Sequence, residues 1–224
     1  LLIVDNSEYS LFKIKQKIAL KKNIQYILLD ISNQDEVEKL IKNNDINYIF
    51  HAAAYKHVNF LEENLISAVR NNILTTISML KSIKNSKINL IIISTDKAVE
   101  PRNILGMTKR ASEIISLSMS NENYYKNTKI TVVRFGNVFG SAGSAIEIFK
   151  NQIKKNLPIT LTDIKMKRFF MSIREACNLV LQASQFKYTS TIFILKMGKP
   201  IKIIDIINKI FNLLRVKNQK LKIN

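Results

Sequence analysis

The sequence has little of the residues that most readily mark special chemistry: one Cys, two His and five Gly among 224 residues. A single thiol, Cys177, excludes an intramolecular disulfide framework. So few Cys and His also leave no ligand set for a structural zinc, and no metal site is expected. With no signal-peptide pattern at its start, the chain is expected in a reducing, cytoplasmic setting. Apolar runs are short; residues 90–93 are typical and far below the length that spans a bilayer, so no membrane segment is expected in this chain. Nor does Gly-x-Gly-x-x-Gly occur anywhere, the turn that follows the first strand of a dinucleotide fold.

Acidic residues are also scarce, 17 against 35 Lys and Arg, for a net charge of +18. That excess invites a nucleic-acid reading, which its distribution argues against. Ile (36), Lys (28) and Asn (24) dominate the chain, and all three have codons built mostly of A and T. The Lys residues are spread along the whole sequence, with no basic stripe interleaved with aromatics as a stacking groove would need. No specific nucleic-acid partner is expected. At 46% hydrophobic and 23% charged, the chain has enough apolar surface to fold into one ordinary domain with a small appendage.

Short β-branched runs alternate with segments of helical periodicity. Strands are predicted at 1–4, 24–29, 48–51, 90–94, 130–134 and 191–195. Helices are predicted at 11–19, 37–41, 65–83, 108–119, 145–153, 176–183 and 203–214. Repeated strand–helix–strand units predict an α/β fold with a doubly wound parallel sheet, whose ligands bind beyond the carboxyl ends of the strands. Three of the five glycines, Gly136, Gly140 and Gly143, fall just after the strand at 130–134. Asp5 and Asp30 each follow a strand, where an acidic side chain either caps the next helix or accepts from a ribose hydroxyl.

The segments after the next strands are more specific. They read His51-Ala-Ala-Ala-Tyr-Lys-His-Val58, then Glu62-Glu-Asn64 and Asn71-Asn72; Ile93-Ser-Thr-Asp-Lys-Ala-Val99, then Pro101, Asn103 and Gly106-Met-Thr-Lys-Arg110; Val133-Arg-Phe-Gly-Asn-Val-Phe-Gly-Ser141, then Lys167-Arg-Phe-Phe-Met171. In this order, over nearly the whole chain, they resemble the polysaccharide-biosynthesis (CapD-like) nucleotide-sugar 4,6-dehydratases, a family of extended short-chain dehydrogenase/reductases. The resemblance implies a Rossmann-like, NAD(P)-binding part over 1–136 and a small substrate-binding part over 137–224, interwoven with the sheet. It implies NAD as cofactor, with NADP the alternative, a UDP-amino sugar of the UDP-GlcNAc type as substrate, and association into a homo-oligomer. For the cofactor it points to Asp5 at the adenosine ribose, Asp30 and Ile31 near the adenine, Ala52, Ala53 and Ala54 on the pyrophosphate side, and Lys109 at the nicotinamide ribose. Lys56, Asn137 and Arg168 match positions facing the sugar nucleotide, and Thr95, Asp96 and Lys97 match the catalytic segment.

By the same resemblance, oxidation at C4 of the sugar acidifies the C5 proton, Lys97 removes it, and Asp96 protonates the C6 hydroxyl as it leaves. Arg168 suits a diphosphate because a guanidinium bonds bidentately.

The chain departs from the family pattern at several points. The Tyr-x-x-x-Lys pair has Leu105 in place of Tyr, four residues before Lys109, where some family members carry Met. Tyr9 to Lys13 and Tyr125 to Lys129 repeat the spacing in the wrong places. Asn59 and Leu65 replace Pro, and Lys167 replaces Thr. The family's first strand and glycine turn have no counterpart, so the chain is expected to begin at the second strand and to end short of the usual C-terminal segment. As such a fragment it is expected to bind dinucleotide weakly. The alternatives are a sugar-nucleotide epimerase, which shares the C4 oxidation, and a non-catalytic scaffold that keeps the fold.

Overall fold

The structure, a computed structural model, describes residues 1–18, 23–141, 143–161, 163–188, 190–214 and 223. Strand and helix alternate from the start: β1 (Leu2–Asp5), α1 (Glu8–Ile18), β2 (Gln25–Leu28), α2 (Gln34–Lys42), β3 (Tyr48–His51), α3 (Val58–Glu63), α4 (Leu65–Val69), α5 (Thr75–Ser82) and β4 (Asn89–Thr95). There follow α6 (Ile104–Ser120), β5 (Lys129–Phe135), β6 (Asn137–Phe139), α7 (Ala145–Lys154), β7 (Lys167–Arg168), β8 (Phe170–Ser172), α8 (Ile173–Gln185), β9 (Thr191–Ile194), β10 (Ile201–Lys202) and α9 (Ile203–Leu214). Each strand predicted from periodicity has its counterpart within a few residues, as does each helix except the one over 65–83, which is broken into α4 and α5. Residue 19, the end of the helix predicted over 11–19, lies outside the described residues. The architecture is the α/β, Rossmann-like one. Among the described residues no helix is long and apolar enough to cross a membrane.

Two compact units make up the chain, residues 1–132 with 187–192 and residues 133–186 with 193–224. In the first, β1 pairs with β2 in parallel, Leu2 opposite Gln25. β3 pairs with β4 in parallel, Tyr48 opposite Asn89, within a sheet of order β3-β4-β5-β9. The core follows from the sequence of the central strands. Leu90, Ile91 and Ile92 of β4, and Ile130, Val132 and Val133 of β5, are buried on successive positions, as expected for strands covered on both faces. Val37 of α2 and Met79, Leu80 and Ile83 in and after α5 pack in one cluster with Leu90, Ile92, Ile130 and Val132. Polar ends terminate the helices cleanly. Asn33 caps α2 by accepting from the Glu36 amide, with Asp35 and Glu36 in the first turn and Lys39 and Lys42 in the last, each sign opposing the helix dipole.

In the second unit α7 and α9 pack around Ile146, Phe149, Ile153, Ile206, Ile207 and Ile210. β6 pairs with β8 in parallel and β7 with β10 antiparallel. Ser172 and Glu175 form a reciprocal capping box at the start of α8, which sets where β8 ends and the helix begins.

Candidate active site

The chain beyond β4 makes a single 3-10 turn over Asp96–Ala98 before α6 begins. Thr95 starts that turn: its hydroxyl oxygen accepts from the Lys97 amide at 3.4 Å and donates to Asp96 Oδ1 at 2.9 Å. Lys97 Nζ donates to the same Asp96 oxygen at 3.1 Å, and both side chains are about a quarter exposed. Thr95, Asp96 and Lys97 therefore form one hydrogen-bonded group at the carboxyl end of a buried strand. Ala98 is fully buried beneath them, which pins the turn.

The turn is held by α6. Asn103 caps that helix, accepting from the Gly106 amide at 2.8 Å, and Glu62 of α3 accepts from the Ile104 amide at 2.8 Å. Gly106 sits so close to the turn that a Cβ there would collide with the Lys97 carbonyl oxygen. Here a glycine is required by close approach of two backbones. One turn on, Lys109 is buried, and its Nζ donates to the Ile93 carbonyl at 2.9 Å. Burial pulls its pKa down to about 8, opposed by the Glu113 carboxylate.

Leu105, at the position where the Tyr would stand, packs with Leu61 of α3 and Ala68 of α4, with Val58 and Ile104 beside them. It is a core residue. Neither other Tyr-to-Lys spacing forms a site. Lys13 lies over the exposed Tyr9 ring at 4.2 Å. Tyr125 is buried and donates to the Leu80 carbonyl at 3.0 Å.

The loop after β3 carries Ala52, Ala53, Ala54 and Lys56, with Ala52, Ala53 and Lys56 exposed. Asn72 fastens this loop from beneath. Its Oδ1 accepts from the Tyr55 amide at 2.8 Å, and its Nδ2 donates to the Tyr55 carbonyl and to Thr108 Oγ1, both at 3.1 Å. Asn72 lies in a π-helical turn, Arg70–Leu74, which interrupts what periodicity reads as one helix over 65–83. Such turns recur at functional sites.

Asp5 ends β1 and Asp30 follows β2; each accepts from the amide two residues on, Ser7 at 2.8 Å and Ser32 at 2.9 Å. A cavity of about 970 Å³ opens between β1 and β3 and brings Asp5, Ile31, Ala52 and Ala53 together along its wall. Asp30 and Lys109 are not among the residues that line it; of the lining residues, Asp5 has a second carboxylate oxygen that could accept from a ribose, and the alanines would let a phosphate approach backbone. In the second unit, Asn137 begins β6, its amide donating to the Phe169 carbonyl at 3.0 Å. Arg168 in β7 donates to the Lys167 carbonyl at 3.0 Å.

Several residues at the site were not singled out from sequence. His51, the last residue of β3, is buried with its ring Nε2 3.0 Å from Thr76 Oγ1. Burial, and the nearby Lys109 charge, lower its pKa to about 3. Glu113 is completely buried. A signal did exist for it, since Lys109, Ser112, Glu113 and Ser116 share the inward face of α6, and a carboxylate on such a face needs partners.

The family model for polysaccharide biosynthesis proteins matches residues 1–224. The chain is 38% identical over 225 residues to the capsular polysaccharide biosynthesis protein CapD of Staphylococcus aureus, covering 98% of this chain and 37% of that protein. It is 41% identical over 187 residues to the probable polysaccharide biosynthesis protein EpsC of Bacillus subtilis (strain 168), covering 83% and 31%. The chain thus spans about a third of the length of these curated relatives. Among solved structures, Pen from Bacillus thuringiensis superposes with a TM-score of 0.91 at 36% identity, over all of this chain and 70% of that one. The chain belongs to the polysaccharide biosynthesis protein family, a nucleotide-sugar dehydratase/epimerase family of extended short-chain dehydrogenase/reductases.

Proposed function

We propose that the chain carries the active site of a nucleotide-sugar 4,6-dehydratase that acts with NAD on a UDP-N-acetylhexosamine for surface polysaccharide synthesis. The observation that carries this reading is the Thr95, Asp96 and Lys97 group at the end of β4, in which the Lys97 ammonium donates to Asp96 Oδ1 at 3.1 Å.

In this reading the first unit is the nucleotide-binding part and the second the substrate part. Asp5, Asp30, Ile31, the three alanines and Lys109 would hold the dinucleotide, and Lys56, Asn137 and Arg168 the sugar nucleotide. Bound NAD would supply the oxidation at C4 that makes the C5 proton acidic, and after water has left the same hydride would be returned to C6 while C5 regains a proton. The chain's own part begins with the ion pair. Passage of one proton from Lys97 Nζ to Asp96 Oδ1 converts it to a neutral amine and a neutral acid, the two forms that elimination needs. Exclusion of water by a bound sugar favours that neutral pair, because two charges lose more hydration than two neutral groups. Lys97 then takes the C5 proton while Asp96 gives its proton to the departing C6 hydroxyl, which leaves as water. The ion pair is restored in the same step. Thr95, bonded to Asp96 Oδ1, keeps that oxygen oriented.

The test is incubation with UDP-GlcNAc and NAD, with the product examined by mass spectrometry and NMR. A 4-keto-6-deoxy sugar supports dehydration, a C4 epimer that keeps its water points to an epimerase, and unchanged substrate at stoichiometric protein points to a non-catalytic scaffold.

A further inference from the structure

Lys109 and Glu113 lie one turn apart on α6, and two adjacent residues of β4 fasten them. Lys109 Nζ donates to the Ile93 carbonyl at 2.9 Å, and Ser94 Oγ donates to Glu113 Oε1 at 2.6 Å. Arg110 reaches the other Glu113 oxygen at 3.2 Å from a position about two-fifths exposed. A carboxylate with no exposed surface is costly unless its charge is used. Arg110 alone does not account for its place, since a surface guanidinium could be paired at the surface.

We propose that Glu113 is a positioning residue for Lys109: its buried carboxylate, locked by Ser94, is the counter-charge that holds the Lys109 ammonium at the end of β4. The charged and titratable groups around Lys109 are His51 from β3, Arg110 and Glu113 from α6 itself, and the Asp96 and Lys97 pair on the turn packed against the start of α6. His51 stays neutral and Arg110 is cationic, so neither offers Lys109 a counter-charge. Burial and Glu113 act on Lys109 in opposite directions. Without the carboxylate, the Ile93 carbonyl would be the hydrogen-bond acceptor left to the ammonium among the contacts given for Lys109. This inference rests on the reading of Lys109 as a cofactor-holding residue only for its functional meaning. The electrostatic link stands or falls separately.

The experiment is NMR titration of the Lys109 13Cε signal in the whole chain without added cofactor or substrate, the signal being assigned by its loss in Lys109→Arg. The unaltered chain is expected to titrate near 8. Glu113→Gln is expected to lower that by about one unit or more, and Glu113→Asp to leave it within about half a unit. A purely structural Glu113 would leave the titration of a folded Glu113→Gln chain unmoved, and that result overturns the proposal. If Glu113→Gln does not fold, the double variant with Lys109→Met is the arbiter. Recovery of folding shows that an uncompensated ammonium caused the loss, and failure to recover overturns the proposal. NAD calorimetry on the same variants separates the two readings: a shifted titration with no NAD binding at any pH leaves the Glu113 link standing and removes the cofactor role.

Discussion

Acidification should destabilise this protein through His51. The ring is 3% exposed. Its Nε2 lies 3.0 Å from Thr76 Oγ1, and that hydroxyl gives its one proton to the Asn72 carbonyl at 3.0 Å. Thr76 must therefore accept, so the ring carries its proton on Nε2 and is neutral. Protonating Nδ1 would place a second cation near Lys109 in a desolvated site, which is why the pKa falls from 6.5 to about 3. The unfolded chain binds a proton below 6.5 that the folded chain refuses until about 3, so stability falls as pH drops through that window. At 1.36 kcal/mol per unit, the loss reaches about 2 kcal/mol by pH 5 and about 4 kcal/mol by pH 3. Urea unfolding at pH 7.5, 6 and 5 measures it. His51→Gln, which keeps a donor toward Thr76, should cost about 1 kcal/mol at pH 7.5 yet show a flatter pH dependence between 6.5 and 5. Equal slopes for the two proteins, or an NMR titration of His51 near 6.5, would refute this reasoning.

Other perturbations separate chemistry from packing. Gly106→Ala pushes a methyl into the Lys97 carbonyl and should cost about 1–3 kcal/mol in a thermal or urea melt, with product formation falling as the Asp96–Ala98 turn is displaced. Leu105→Tyr forces a phenol into the Leu61 and Ala68 cluster, so turnover should not rise while stability drops by about 1–3 kcal/mol; a gain in product without loss of stability would show that the side chain can leave the core. Asp96→Asn and Lys97→Ala should each cut product formation by about 10²–10⁴-fold and change the unfolding free energy from urea melts by no more than about 1 kcal/mol, because their partly exposed pair adds little to stability.

The fold was legible because burial leaves a period in the sequence. β3 has the bounds its β-branched run predicts, and β4 and β5 are readable as buried strands from residues such as Leu90, Ile91 and Ile92. What periodicity missed depends on partners distant along the chain. The break in the predicted helix over 65–83 follows from Asn72 clamping Tyr55, 17 residues away, and hydrophobic spacing has no means of registering that bond. β6, β7, β8 and β10 span two or three residues each, too few to show any alternation. At the site, resemblance supplied the reacting residues, and physics supplied the supports. His51 was read only as the first residue of a motif, and Glu113 was passed over although it shares the inward face of α6 with Lys109, Ser112 and Ser116; their burial is what marks them. Gly106 was read as part of a motif, and the structure gives its reason in the Lys97 carbonyl.

The most direct test of the central claim, that Asp96 and Lys97 form the acid and base of a dehydration, is to incubate stoichiometric chain with UDP-GlcNAc and millimolar NAD in deuterated water and to follow the sugar by mass spectrometry and NMR. The expected product has lost one water and gained a 4-keto group, with deuterium introduced at C5, and it is missing from Lys97→Ala. A sugar that keeps its C6 hydroxyl and inverts only at C4, or product formed equally by Lys97→Ala, would contradict it.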